Sequence, residues 1–219
     1  MNKFIYRSGL WLGFLFLSLN SYAERNLEKL IDNHQSQFED IALKIWDYAE
    51  VGYQEYKSSD LLKRKLSEEG FTIKSNIANI PTAFVAEYGE GQPVIAILGE
   101  FDALPGVAQS SSPFRESYKD NAAGHACGHH LFGAGSAWAS VVIKEWLIAN
   151  NQKGTVRFYG TPAEEGGSGK VYMAREGIFN DVDVMLHWHP GSTSHASPRT
   201  SNSNKSAKFS FKGISAHAA

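Results

Sequence analysis

The sequence predicts an α/β fold: a mixed, largely parallel sheet sandwiched by helices. Three observations carry this. Strand-like segments alternate with segments of helical periodicity along most of the chain, the order that builds parallel strands through crossover connections. Val94-Ile95-Ala96-Ile97-Leu98 is a continuous apolar run, as expected of a strand covered on both faces. Three of the predicted strands lead directly into acidic or histidine-bearing loops, and open α/β sheets bind ligands beyond the carboxyl ends of their strands.

The 219 residues carry a formal net charge of −2 and are 42% hydrophobic. That is enough apolar material for a core, and it leaves no basic footprint for nucleic acid. The first stretch differs from the rest. Lys3 and Arg7 precede an apolar run over residues 10–19, followed by Ser21-Tyr22-Ala23. This is the pattern of a secretory signal peptide over residues 1–23, too short for a good membrane span. The expected location is periplasmic or secreted, with no membrane association after cleavage. The single cysteine, Cys127, then has no partner for an internal disulfide. Its glycine- and histidine-rich surroundings favour a metal ligand over a buried apolar thiol.

Taken in order, residues 27–48 place apolar side chains at helical spacing and predict one amphipathic helix. Ser58 and Ser59 are candidate caps for a second helix over 61–69, closed by Gly70. Strands are predicted over 71–74, 82–88 and 94–98. A polar loop leads to Asn121-Ala-Ala-Gly-His125-Ala-Cys127-Gly-His129-His130, and residues 131–149 read as a buried helix. A strand over 155–159, a short helix over 168–176 and a strand over 183–186 follow. Residues 192–206 are rich in Ser, Thr and Asn, a linker composition. A weak strand pattern over 207–211 and a turn opening a helix at 213–219 complete the chain. The expected division is a signal peptide (1–23), a metal-binding catalytic domain (24–196) and the start of a second domain (197–219).

The chemistry converges at one sheet edge. Glu100 and Asp102, then Glu164 and Glu165, then His187 and His189 follow three strands, with Cys127 and His129 in a loop between two of them. Thiolate, imidazole and carboxylate together suit zinc, manganese or a neighbouring divalent ion. Adjacent glutamates suit a division of labour, one binding metal and the other taking a proton from water that the metal has acidified. Glu164-Glu165 alone reads as a solvated acidic turn. The strand leading in, Pro162-Ala163 before it and Gly166-Gly167 after it tip the reading toward function. His217 lies among small residues near a turn, where an imidazole has room to donate to a developing oxyanion. His34 reads as structural or exposed. Tyr53 and Trp188 read as packing or pocket lining.

Four motifs in order, Gly-His-Ala-Cys-Gly-His at 124–129, Pro-Ala-Glu-Glu-Gly-Gly at 162–167, Trp-His-Pro at 188–190 and Gly-Ile-Ser-Ala-His-Ala-Ala at 213–219, resemble the amidohydrolase branch of the metal-dependent aminoacylase and carboxypeptidase family. The resemblance runs from about residue 27 to the last residue. It implies a zinc-peptidase-like catalytic domain, with an α+β lid and dimerisation domain starting at the C-terminus. It also implies two divalent metal ions, a homodimer, and hydrolysis of the amide bond of N-acyl amino acids or dipeptide-like small molecules. Carried over by motif, Cys127, His129, Glu165 and His189 are the implied metal ligands, and Glu164 is the implied general base. Asp102 supports the site, His187 is not a ligand, and His217 reaches the substrate from the lid. Family members carry a last histidine ligand in a returning segment, which the resemblance places beyond Ala219. The alternative reading is a non-catalytic metal- or ligand-binding module, or an inactive fragment.

Overall fold

The computed structural model describes residues 27–116, 122–196, 200, 202–203 and 205–217. The expected signal peptide and the last two residues of the fourth motif lie outside these. Five strands form one mixed sheet in the order β1-β2-β4-β3-β5: β1 (Thr72–Ser75), β2 (Phe84–Glu90), β3 (Val94–Gly99), β4 (Gly154–Gly160) and β5 (Val184–Leu186). The β1–β2 and β2–β4 pairings are antiparallel; β4–β3 and β3–β5 are parallel. The parallel part carries the candidate site.

Side chains alternate across the sheet as a period of two requires. Phe84, Ala86, Val156 and Phe158 point to one face, where they meet α1 (Gln35–Tyr48), α2 (Tyr56–Glu68) and α3 (His129–Ala149). Val85, Ala96, Leu98 and Tyr159 point to the other, where Met173 of the short helix α4 (Gly169–Arg175) joins Ile178, Phe179 and Val182 over them. The helix α3 approaches the sheet closely because of Gly133. A Cβ there would stand 2.6 Å from the carbonyl oxygen of Glu100, so any larger residue would push α3 off the end of β3.

Four elements differ from their sequence pattern. The predicted helix over 27–48 is broken by a turn at Asn33 and His34. His34 is turned inward, and its Nε2 lies 2.8 Å from Glu145 Oε1. The second helix begins at Tyr56, so Ser58 and Ser59 lie inside it and are not its caps. Its first N–H groups are capped by Glu50 instead, whose carboxylate accepts from Lys57 N at 3.0 Å and Ser58 N at 2.9 Å. Ser58 Oγ joins the same carboxylate, and Ser59 Oγ donates to the Thr82 carbonyl. The alternation over 207–211 yields no strand, since residues 205–217 are neither helix nor strand as far as they are described, with Phe211 92% exposed. An alternating pattern becomes a strand only against a hydrogen-bonding neighbour, and none of the sheet pairings includes this segment. The expected helix-opening turn at 213–219 is likewise not formed in its described part.

Candidate metal centre

The parallel register of β3, β4 and β5 brings the ends of three strands to one edge. As β3 leaves the sheet, Phe101 is buried in the core and the flanking Glu100 and Asp102 are buried beside it. Beyond β4 the chain makes a single helical turn, Glu164–Gly167. Beyond β5 lie His187, Trp188 and His189. From the opposite side, Gly128 in the left-handed region (φ +77°) starts α3, so that His129 is its first residue and points into the centre of the group.

His129 is the hub. Its side chain is wholly buried, with Nδ1 2.8 Å from Asp102 Oδ1. Its Nε2 is 2.9 Å from Glu100 Oε2 and 3.9 Å from both Glu164 Oε2 and Glu165 Oε1. The other oxygen of Asp102 accepts from the Glu165 backbone N–H at 2.8 Å. One buried carboxylate therefore orients the imidazole and anchors the acidic turn together. The two glutamates are equally near His129 but differ in exposure: the Glu165 side chain is 16% exposed and that of Glu164 is 47%.

Burial disfavours charge on His129, but the hydrogen bonds and charges of Asp102 and Glu100 outweigh it and raise its pKa to about 10. Burial would raise Glu100, but His129, His187 and the Lys170 ammonium hold its carboxyl well below the usual range. Burial, then the carboxylates led by Glu165, push the Cys127 thiol up to about 11. In the metal-free protein the centre therefore holds protons where a cation would replace them.

The residues fit such a cation. His129 Nε2, Glu165 Oε1 and Glu100 Oε2 are buried without a hydrogen bond of good geometry, an arrangement that is costly unless something else satisfies them. Two overlapping sets bring one ligand atom each within 4.8 Å of one another: Cys127, His129 and His189, and Glu100, His129 and Glu164. Of the ligands expected from the sequence, Cys127, His129 and His189 share one set; Glu165 is in neither, its Oε1 3.9 Å from His129 Nε2, and Glu164, expected as the base, is in the other set. His187 belongs to neither set, and its Nε2 is 3.6 Å from Glu100 Oε1. His217 belongs to neither set and lies in the exposed stretch 205–217. Trp188 packs on Phe132 and donates to Ser136 Oγ at 3.0 Å. Tyr53 does more than pack. It lines a cavity of about 310 Å³ with Gly52, Asp102 and Glu165, holds a positive φ of 66°, and donates to the Gly167 carbonyl at 2.5 Å.

Two contributors had no signal in the sequence. Glu55 is fully buried, and its carboxylate accepts from Ala163 N at 2.8 Å and Thr82 Oγ1 at 3.0 Å. It thereby fixes the residue before Glu164, where Ala163 holds a positive φ of 57°. Burial raises the Glu55 carboxyl above its ordinary value, against the pull of those hydrogen bonds. Lys170, in the first turn of α4, donates to Glu100 Oε1. Both are lone charged residues in polar stretches, where a solvated surface is the ordinary reading.

A thiol, imidazoles and carboxylates collected beyond the ends of parallel strands make a metal centre of the hydrolase type. Known proteins bear this out. Residues 96–207 match Peptidase family M20/M25/M40, and the chain belongs to that family. It is 44% identical over 198 residues to a p-aminobenzoyl-glutamate hydrolase chain of Escherichia coli, covering 89% of this chain and 41% of that protein. It is 31% identical over 166 residues to hippurate hydrolase of Campylobacter jejuni, covering 75% and 42%. Among solved structures it resembles a dinuclear metal-binding M20 peptidase of Bacillus subtilis, with a TM-score of 0.56 and 30% identity, covering 70% of this chain and 42% of that one. The chain therefore spans about two fifths of the length of the curated relatives it matches.

Proposed function

We propose that this chain carries most of the catalytic centre of a metal-dependent amidohydrolase that cleaves the amide bond of N-acyl amino acids or dipeptide-like small molecules. The observation that carries the reading is the buried His129 Nε2, without a hydrogen bond of good geometry, 2.9 Å from Glu100 and 3.9 Å from both Glu164 and Glu165, with Cys127 and His189 within ligating reach. The names of two relatives, a p-aminobenzoyl-glutamate hydrolase and a hippurate hydrolase, support the substrate class.

Cys127, His129, Glu165 and His189 would hold a pair of divalent ions, zinc or manganese, with Glu100 close by. Such ions supply Lewis acidity, which polarises a carbonyl and makes water acidic near neutrality. With an ion bound, Asp102 would keep the His129 proton on Nδ1 and leave the Nε2 lone pair to the ion, and it ties down Glu165 through its backbone. Glu164, half exposed beside Glu165, would take a proton from water and hand it to the leaving amine. His217 is assigned the oxyanion by motif. The same reading includes a homodimer, a lid domain beginning near residue 197, and export by the leader over 1–23.

Glu164→Gln in the protein carrying this chain tests the assignment. The variant should still bind metal through Cys127, His129 and His189 and lose turnover of an N-acyl amino acid by at least about 100-fold. Turnover within a few-fold of the parent would remove Glu164 from the role of base, and hydrolysis that survives complete chelation would remove the metal from the reaction.

A further inference from the structure

The two ligand sets that share His129 differ in one respect. Cys127, His129 and His189 lie on the side of the thiol. In the set Glu100, His129 and Glu164, Lys170 Nζ already donates to Glu100 Oε1. No ammonium group is hydrogen-bonded to Cys127, His129 or His189 among the described residues. The Glu100 side chain is 3% exposed and that of Lys170 is 26% exposed. The pair is therefore largely withdrawn from solvent screening, where charges interact strongly. His187 Nε2, 3.6 Å from the same oxygen, adds a second nitrogen to that face of Glu100.

We propose that Lys170 is the internal counter-ion of the centre, and that it sets how weakly the second divalent ion binds on the Glu100 side. The proposal rests on the metal-centre reading above. An ion drawing on Cys127 and His189 shares neither with a hydrogen-bonded ammonium group among the described residues. An ion drawing on Glu100 must share that carboxylate with an ammonium or displace it. The two positions are thereby made unequal, one tight and one exchangeable. Lys170 acts as a positioning residue: it holds Glu100 and spends part of that carboxylate's charge.

The test is calorimetric titration of the full chain with Mn²⁺ and with Zn²⁺, supported by elemental analysis after gel filtration. The proteins are the parent, Lys170→Gln, Lys170→Arg and Lys170→Met. Gln keeps a hydrogen bond to Glu100 without the charge, and Arg keeps the charge. The expected result is that Gln and Met tighten the second, weaker ion by about tenfold or more, since a unit charge at hydrogen-bond range is removed. The first ion should be unaffected, and Arg should behave as the parent. Equal second-ion affinity in the parent and the Gln variant overturns the proposal, as does loss of the second ion in the Gln variant. Failure of all four proteins to bind any ion would overturn the metal reading, and the proposal with it. Two ions of equal affinity in all four would leave the metal reading standing and refute the role of Lys170.

Discussion

Asp102→Ala is the most informative single change in the centre. Asp102 is buried, and its two oxygens accept from His129 Nδ1 and from the Glu165 backbone N–H, both at 2.8 Å. Truncation removes the side-chain acceptor of the Glu165 N–H and leaves His129 Nδ1 only the Asp102 backbone carbonyl, 3.2 Å away. A lost buried hydrogen-bond partner costs about 1–3 kcal/mol, and with His129 partly compensated the metal-free protein should lose about 1–4 kcal/mol. The partner that orients a ligating histidine is also removed, and metal affinity should fall about 10–100-fold. Asp102→Asn keeps one acceptor but turns an amide N–H₂ toward the other donor, so it should fall between the two. Urea unfolding in chelator gives the first quantity and metal titration the second. An Ala variant within about 0.5 kcal/mol of the parent, with unchanged metal affinity, would refute the bridging role of Asp102.

Two other predictions follow from the surroundings of the centre. Glu55→Leu strips the acceptor from Ala163 N–H and Thr82 Oγ1 and should destabilise the protein by about 2–4 kcal/mol, whereas Glu55→Gln should recover most of that; unfolding curves showing Leu and Gln alike would mean that Ala163 is held by other contacts. The metal-free protein should lose stability as the pH rises into the alkaline range. His129 is raised from 6.5 to about 10 and Cys127 from 9.0 to about 11, so the folded state holds more protons than the unfolded state across both windows. The His129 contribution is complete below pH 6.5 and is lost as the pH rises through about 10, with the Cys127 loss following between about 9 and 11. Thermal unfolding in chelator across this range checks it, and a melting temperature that rises with alkalinity contradicts it.

The sheet was legible where burial on two faces leaves a simple mark. Val94 to Leu98 read as a buried strand because both faces of β3 are covered, and the convergence of three strand ends followed from the parallel pairing. Legibility failed where a polar side chain does unforeseen work. Ser58 and Ser59 have cap-like chemistry, but Glu50 reaches the same N–H groups from outside the helix. His34 turns out of the helical pattern to reach Glu145 on α3 across the fold. The pattern over 207–211 lacks a paired strand, and no local property of Phe209 or Phe211 reports that. In the site, ligating residue types announced themselves in motifs, whereas Glu55 and Lys170 act only through tertiary partners far along the chain, at Ala163 and Glu100.

The central claim is that Cys127 and His129 hold a divalent ion at this sheet edge. It is tested most directly by replacing the ion with Co²⁺ and recording the electronic spectrum of the parent and of Cys127→Ala. The parent should show a thiolate-to-cobalt charge-transfer band that is absent from the variant, together with a lower metal content in the variant. A cobalt-loaded parent without that band, or a variant with an unchanged spectrum and stoichiometry, would contradict the account.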